Sequence, residues 1–86
     1  MIIAWDEEAW QDYLWWQNND KRILRKIHKL LDDIKRNGYS GIGKPEQLKN
    51  DLSGWHSRRI DGEHRMVYRI REDRVEIIQC KDHYDD

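Results

Sequence analysis

One cysteine, one proline and no apolar run of membrane-spanning length: what this sequence lacks narrows what it can be. Cys80 cannot form an internal disulfide, and the opening MIIAWDEEAW turns acidic after five residues, unlike a secretory leader. A reducing cytoplasm is therefore the expected setting. No segment approaches the roughly 20 apolar residues that cross a bilayer. Repeats and low-complexity tracts are missing, as are a phosphate-binding glycine loop with a following Lys-Ser/Thr and a serine or cysteine nucleophile motif. Cys80 and His83 give one C-x-x-H pair with no second, so no metal site is expected. Eighty-six residues make one small domain, 1–86, too small for an elaborate cofactor fold, and no cofactor is expected.

Charge of one sign is lacking too. The net value is −1, which argues against indiscriminate nucleic-acid binding, but the distribution is uneven. Residues 1–20 carry five acids and no Lys or Arg, whereas residues 21–49 carry nine basic side chains against three acidic ones. Such asymmetry suggests a focused positive site.

The patterning predicts an α+β domain in the order β-α-α-β-β-β, with two N-terminal helices on a four-stranded, mainly antiparallel sheet. Met1–Trp5 reads as a strand. Asp6 reads as the N-cap of a first helix whose marked face is Trp10, Tyr13, Leu14 and Gln17, with Trp5 and Trp10 in staple positions. A second helix is signalled by Ile23, Leu24, Ile27, Leu30, Leu31 and Ile34, with Gly38 just past its end. Its other face is basic, and such faces are usually only solvated. His28 has no evident partner. Residues 38–54 hold four of the five glycines and the only proline. This is the one long irregular stretch, and stretches of that length in compact domains tend to be functional. Pro45 stiffens the backbone before Glu46.

Trp55–Tyr68, WHSRRIDGEHRMVY, reads as a hairpin turning at Asp61-Gly62, where the glycine suits positive φ. Arg58, Arg59 and Arg65 flank that turn, and planar guanidinium groups on a rigid hairpin can hold a phosphate through paired hydrogen bonds. Beyond it, Met66, Tyr68 and Ile70 should face the helices, leaving Arg65, Val67, Arg69 and Arg71 open. A two-residue loop would put Arg59 and Arg65 on opposite faces. A three-residue loop ending at Gly62 would put them on the same face, and is favoured if both hold one phosphate.

The available chemistry is thus a carboxylate in a stiff loop, arginines on a hairpin, and His83-Tyr84 near the C-terminus. That set suits metal-free RNA cleavage. The 2′-hydroxyl attacks its own 3′-phosphate, which calls for a base, an acid for the leaving oxygen, and cations for the crowded phosphorane.

The run GKPEQLKNDLSG-x-x-SRRI-x-x-EHRMVY with a terminal DHY resembles the YoeB/Txe toxins of bacterial type II toxin–antitoxin systems, within the RelE superfamily. AWDEEAWQDYLWWQ and KIHKLLDDIKR extend the resemblance over essentially the whole chain. It implies a ribosome-dependent endonuclease that cuts messenger RNA in the A site of the 70S ribosome and is silenced by a YefM-type antitoxin. It also implies Glu46 as general base, His83 as general acid and Arg65 as main phosphate stabiliser. Lys49 and Arg59 would assist, and Tyr84 would position the substrate. Dimers are common among such proteins, so a homodimer is an expected assembly. Asp85-Asp86 extends past the tyrosine at which similar sequences usually stop. Two rival readings share the fold: a non-catalytic module binding an acidic partner, and a gyrase-poisoning toxin of the ParE group. The Glu46, Arg65 and His83 set favours the nuclease.

Overall fold

The computed structural model describes residues 1–82 of the 86. Strand β1 (Ile2–Trp5) leads into α1 (Glu7–Asn19) and α2 (Lys21–Asn37). The short strand β2 (Glu46–Gln47) and a single 3-10 turn (Asn50–Leu52) follow, then β3 (His56–Arg59), β4 (Arg65–Arg71) and β5 (Arg74–Gln79). The sheet therefore has five strands rather than four, in the order β1-β5-β4-β3-β2, with β1 parallel to β5 and the other pairs antiparallel. The added strand is only two residues long and offers no period-2 pattern to read. It exists because the Glu46-Gln47 backbone pairs with Ser57 and His56.

Local chemistry sets the helix ends, with Asp6 and Gly38 in their expected cap positions. The Asp6 carboxylate accepts from Glu8 N–H, and the Asp20 side chain accepts from the amides of Arg22 and Ile23. Gly38, at φ +65°, closes α2 through a hydrogen bond to the Ile34 carbonyl. The α2 stripe is buried at Leu24, Ile27, Leu30, Leu31 and Ile34, and packs with Met66, Tyr68, Val75 and Ile77 of the sheet.

The first helix differs from expectation. Its core residues are Ala9 and Trp16, while Trp10 is 41% exposed. Trp10 and Tyr13 instead join Trp5 in an aromatic ledge, with ring centroids 4.8–6.1 Å apart. The small Ala9 permits close approach to the sheet, which large rings at that position would prevent. His28 also has a partner after all: its Nε2 lies 2.7 Å from the Tyr13 hydroxyl.

The hairpin turn departs from both sequence-based registers. Arg59 lies directly opposite Arg65, so the two share a face, but the turn is centred one residue further along than a three-residue loop ending at Gly62 would place it. Asp61 builds it, its Oδ1 accepting from the amides of Glu63 (2.8 Å) and His64 (2.7 Å). Gly62 does not use positive φ.

Candidate active site

Alternate residues of a strand share a face. Glu46 pairs with Ser57, Ser57 with Val67, and Arg59 with Arg65, so all five lie on the sheet face turned away from the helices. There the Glu46 Oε2 stands 3.7 Å from Arg65 Nη1. The carboxylate is half exposed, whereas the Arg65 side chain is only 16% exposed. Ser57 forms the buried floor beside Glu46, and Val67 and Leu48 are buried as well, outside the main core cluster. The outer face is therefore partly packed, not bare as expected for Val67. Further along it, the Arg69 guanidinium sits 4.3 Å from the Trp55 ring centroid, and both line a cleft of about 310 Å³ with Glu76 and Ala4. The Arg69 hydrogen bond holds the Glu76 carboxyl below the usual range.

Arg58 does not belong to this face. Strand alternation sends it to the helix side, where it is fully buried, and it uses all five of its N–H donors. Nε donates to the Tyr68 hydroxyl (3.1 Å) and Nη1 to Asp33 Oδ2 and the Ile42 carbonyl (3.0 Å). Nη2 donates to the carbonyls of Gly38 (2.8 Å) and Ser40 (2.7 Å). The Arg58 hydrogen bond is the main reason the Asp33 carboxyl lies below its ordinary range. Three of these acceptors are backbone carbonyls of the stretch before Glu46, so Arg58 fixes the path of that loop. Gly41 is required there: at φ +124°, a Cβ would sit 2.0 Å from Asp33 Oδ2. The loop is also stitched to β3 by Arg59 N–H donating to the Gly43 carbonyl at 2.6 Å. Glu46 is thus held from two sides, by β2 pairing and by the anchored loop.

Residues 5–84 match the model of a family described as YoeB-like toxins of bacterial type II toxin–antitoxin systems. The chain belongs to this family. It is 51% identical to toxin YoeB of Escherichia coli K12 over 84 residues, covering 98% of this chain and all of the relative. A solved YoeB/ParE toxin from Agrobacterium tumefaciens is 46% identical with a TM-score of 0.95, covering 98% of this chain and all of the other. The toxin chain of a heterotetrameric YoeB–YefM complex from Staphylococcus aureus is 47% identical, with a TM-score of 0.92 and 98% coverage of each chain. The expected α+β, RelE-like fold is the fold of this toxin.

Of the sequence-predicted site residues, the toxin brings Glu46, Arg59 and Arg65 together. Lys49 is exposed just before the 3-10 turn, lining a cleft of about 400 Å³ with Gln47, Asn50 and Ser53. His83 and Tyr84 lie outside the described residues, as does the Asp85-Asp86 extension. Among the described residues no group of three His, Cys, Asp or Glu could hold a metal ion, and no helix is long and apolar enough to cross a membrane. Cys80 is a poor nucleophile, because burial pushes its thiol up to about 12. Sequence reasoning grouped Arg58 with the phosphate ligands. The alternation of His56–Arg59 opposite Tyr68–Arg65 was the signal that could have separated it from Arg59.

Proposed function

We propose that this toxin is a ribosome-dependent endoribonuclease that cuts messenger RNA in the A site. The observation that carries the reading is the Glu46 carboxylate 3.7 Å from the Arg65 guanidinium on an open sheet face, with Arg59 across from Arg65. In this mechanism Glu46 takes the proton of the 2′-hydroxyl as that oxygen attacks the adjacent 3′-phosphate. Arg65, with a fork geometry matched to phosphate oxygens, stabilises the charge of the phosphorane, and Arg59 and Lys49 add to the local positive potential. His83 gives a proton to the departing 5′-oxygen, and Tyr84 orients the substrate. The products are a 2′,3′-cyclic phosphate and a free 5′-hydroxyl. The Arg58-anchored loop and the antiparallel pairing support this reading, because they hold base and cation on rigid neighbouring strands.

A YefM-type antitoxin is the proposed inhibitor, its tail covering the face that carries Arg59 and Arg65. The Staphylococcus aureus YoeB–YefM complex supports that partner, and the solved YoeB dimer of the same organism supports a homodimer.

The test is single-turnover cleavage on programmed ribosomes, paired with co-sedimentation and a thermal melt. Glu46→Gln keeps the shape and removes the base, so cleavage should fall by roughly 10² to 10⁴ with ribosome binding intact. Lys29→Ala, on the exposed face of α2, should cut near normally. Cleavage by Glu46→Gln within a few-fold of wild type rejects the base assignment.

A further inference from the structure

The described chain ends in a segment that is fastened to both layers of the fold. Cys80 N–H donates to Asp12 Oδ2 at 3.3 Å, and the Cys80 carbonyl accepts from Trp16 Nε1 at 2.9 Å. A bulge in the β4–β5 pairing puts Gln79 opposite Val67, on the outer face. From there its Nε2 donates to the carbonyls of Lys81 (3.0 Å) and Asp82 (3.2 Å). Asp82 then meets the start of β4 through its backbone. Arg65 N–H donates to the Asp82 carbonyl at 3.1 Å, and Asp82 N–H donates to His64 Nδ1 at 2.8 Å.

His64 is built for that contact. Its side chain is 12% exposed, its ring meets Trp16 edge-on with centroids 4.8 Å apart, and its Nε2 lies 2.9 Å from Glu63 Oε2. An imidazole that accepts at Nδ1 and donates at Nε2 is the neutral Nε2–H form, so Glu63 fixes the tautomer that can receive the Asp82 amide. A histidine there only to pack against Trp16 would need neither nitrogen. Arg65, whose amide holds the Asp82 carbonyl, is also the residue whose guanidinium faces Glu46.

We propose that His64 is a positioning residue: its Nδ1 fixes the Asp82 backbone beside Arg65 and so anchors the segment that leads to His83. The inference rests on the nuclease reading and extends it to a residue that touches neither substrate nor reacting atoms.

Two variants separate anchoring from packing. His64→Phe keeps a ring against Trp16 and removes the acceptor, whereas His64→Asn keeps an acceptor oxygen close to the Nδ1 position and removes the ring. His64→Phe should slow single-turnover cleavage by roughly 10- to 100-fold, the scale of an approximately 1 Å misplacement, with ribosome co-sedimentation unchanged. The Asp82 amide should exchange faster with solvent in that variant, and His64→Asn should stay within a few-fold of wild type. Cleavage by His64→Phe within a few-fold of wild type overturns the proposal, and so does equal slowing of both variants. Should His64→Phe not fold, the wild-type Asp82 amide decides: exchange at the rate of an unprotected amide overturns it, and protection supports it. His83→Gln measured in parallel keeps the two readings apart. A wild-type rate there removes the general-acid role, whereas the His64 comparison reads the anchoring.

Discussion

Replacing Arg58 with Met is the most demanding test of how the site is held together. Met roughly preserves the length of the side chain while deleting five donors in a fully buried position. The carbonyls of Gly38, Ser40 and Ile42 and the Asp33 carboxylate then lose a partner at once. Breaking a buried charge pair from one side costs about 3–5 kcal/mol, because the remaining groups stay desolvated. An 86-residue domain has on the order of 4–13 kcal/mol in total, so the loss is a large share of it. Urea unfolding should show a midpoint well below wild type with a similar slope. The surface pair Arg22–Asp20, whose arginine is 85% exposed, supplies the contrast: Arg22→Ala should change stability by less than about 1 kcal/mol. A double variant, Arg58→Met with Asp33→Leu, should recover only part of the loss, since the Ser40 and Ile42 carbonyls still lose their Arg58 donor and Gly38 keeps only the Tyr68 hydroxyl. If Arg58→Met unfolds within about 1 kcal/mol of wild type, the loop is not held as described here.

Three further outcomes follow from the same contacts. Arg65→Lys should cleave poorly while binding ribosomes normally, since an ammonium cannot offer two parallel donors to a phosphorane; a rate near wild type in the single-turnover assay would refute this. Native Cys80, with its thiol pushed up to about 12, should resist iodoacetamide at pH 8 and react fully once the protein is unfolded, as mass spectrometry can show. Burial lowers the pKa of His56, so the unfolded chain binds a proton there before the folded one does. Its stabilising contribution is present above about pH 6.5 and is lost as pH falls through the folded value, and His56→Gln should flatten the drop in unfolding free energy between pH 7 and 5.

The second helix was legible because its stripe repeats at 3.6 residues over about three turns and its caps are the favoured residue types. The hairpin strands were legible from their alternation. What escaped was whatever depends on a neighbour distant in sequence. β2 is two residues of edge strand made by pairing alone, and no local pattern announces it. The Asp61 turn was misread because Asp-Gly is a stronger local signal than an aspartate capping two amides, although both use the same residue. Tryptophan in α1 marks the core only at Trp16, since Trp10 and Trp15 stand on other faces of the helix. In the site, Glu46, Arg59 and Arg65 could be picked by residue type and by resemblance, whereas their shared face depended on a register the sequence left open. Arg58 is the sharpest case. Adjacent arginines look alike in a sequence, and strand alternation makes one a surface cation and the other a buried scaffold.

That division also reconciles the proposed phosphate-handling face with a net charge of −1. Arg58 is neutralised within the fold by Asp33. At the far end of the sheet, Glu76 gathers Arg69, Arg71 (3.7 Å) and Arg74 (3.8 Å), and Arg74 also meets Glu72 at 3.4 Å. Lys81 lies 3.6 Å from Asp82. The cations that share the face of Glu46 on the paired strands are Arg59 and Arg65, and on the proposed reading that pair serves a single phosphate rather than a length of chain. Non-specific affinity for RNA grows with the number of phosphates neutralised. A face that concentrates its charge on one phosphate therefore has chemistry to offer but little grip on a free strand. On the proposed reading, the ribosome supplies that grip by presenting the messenger already held.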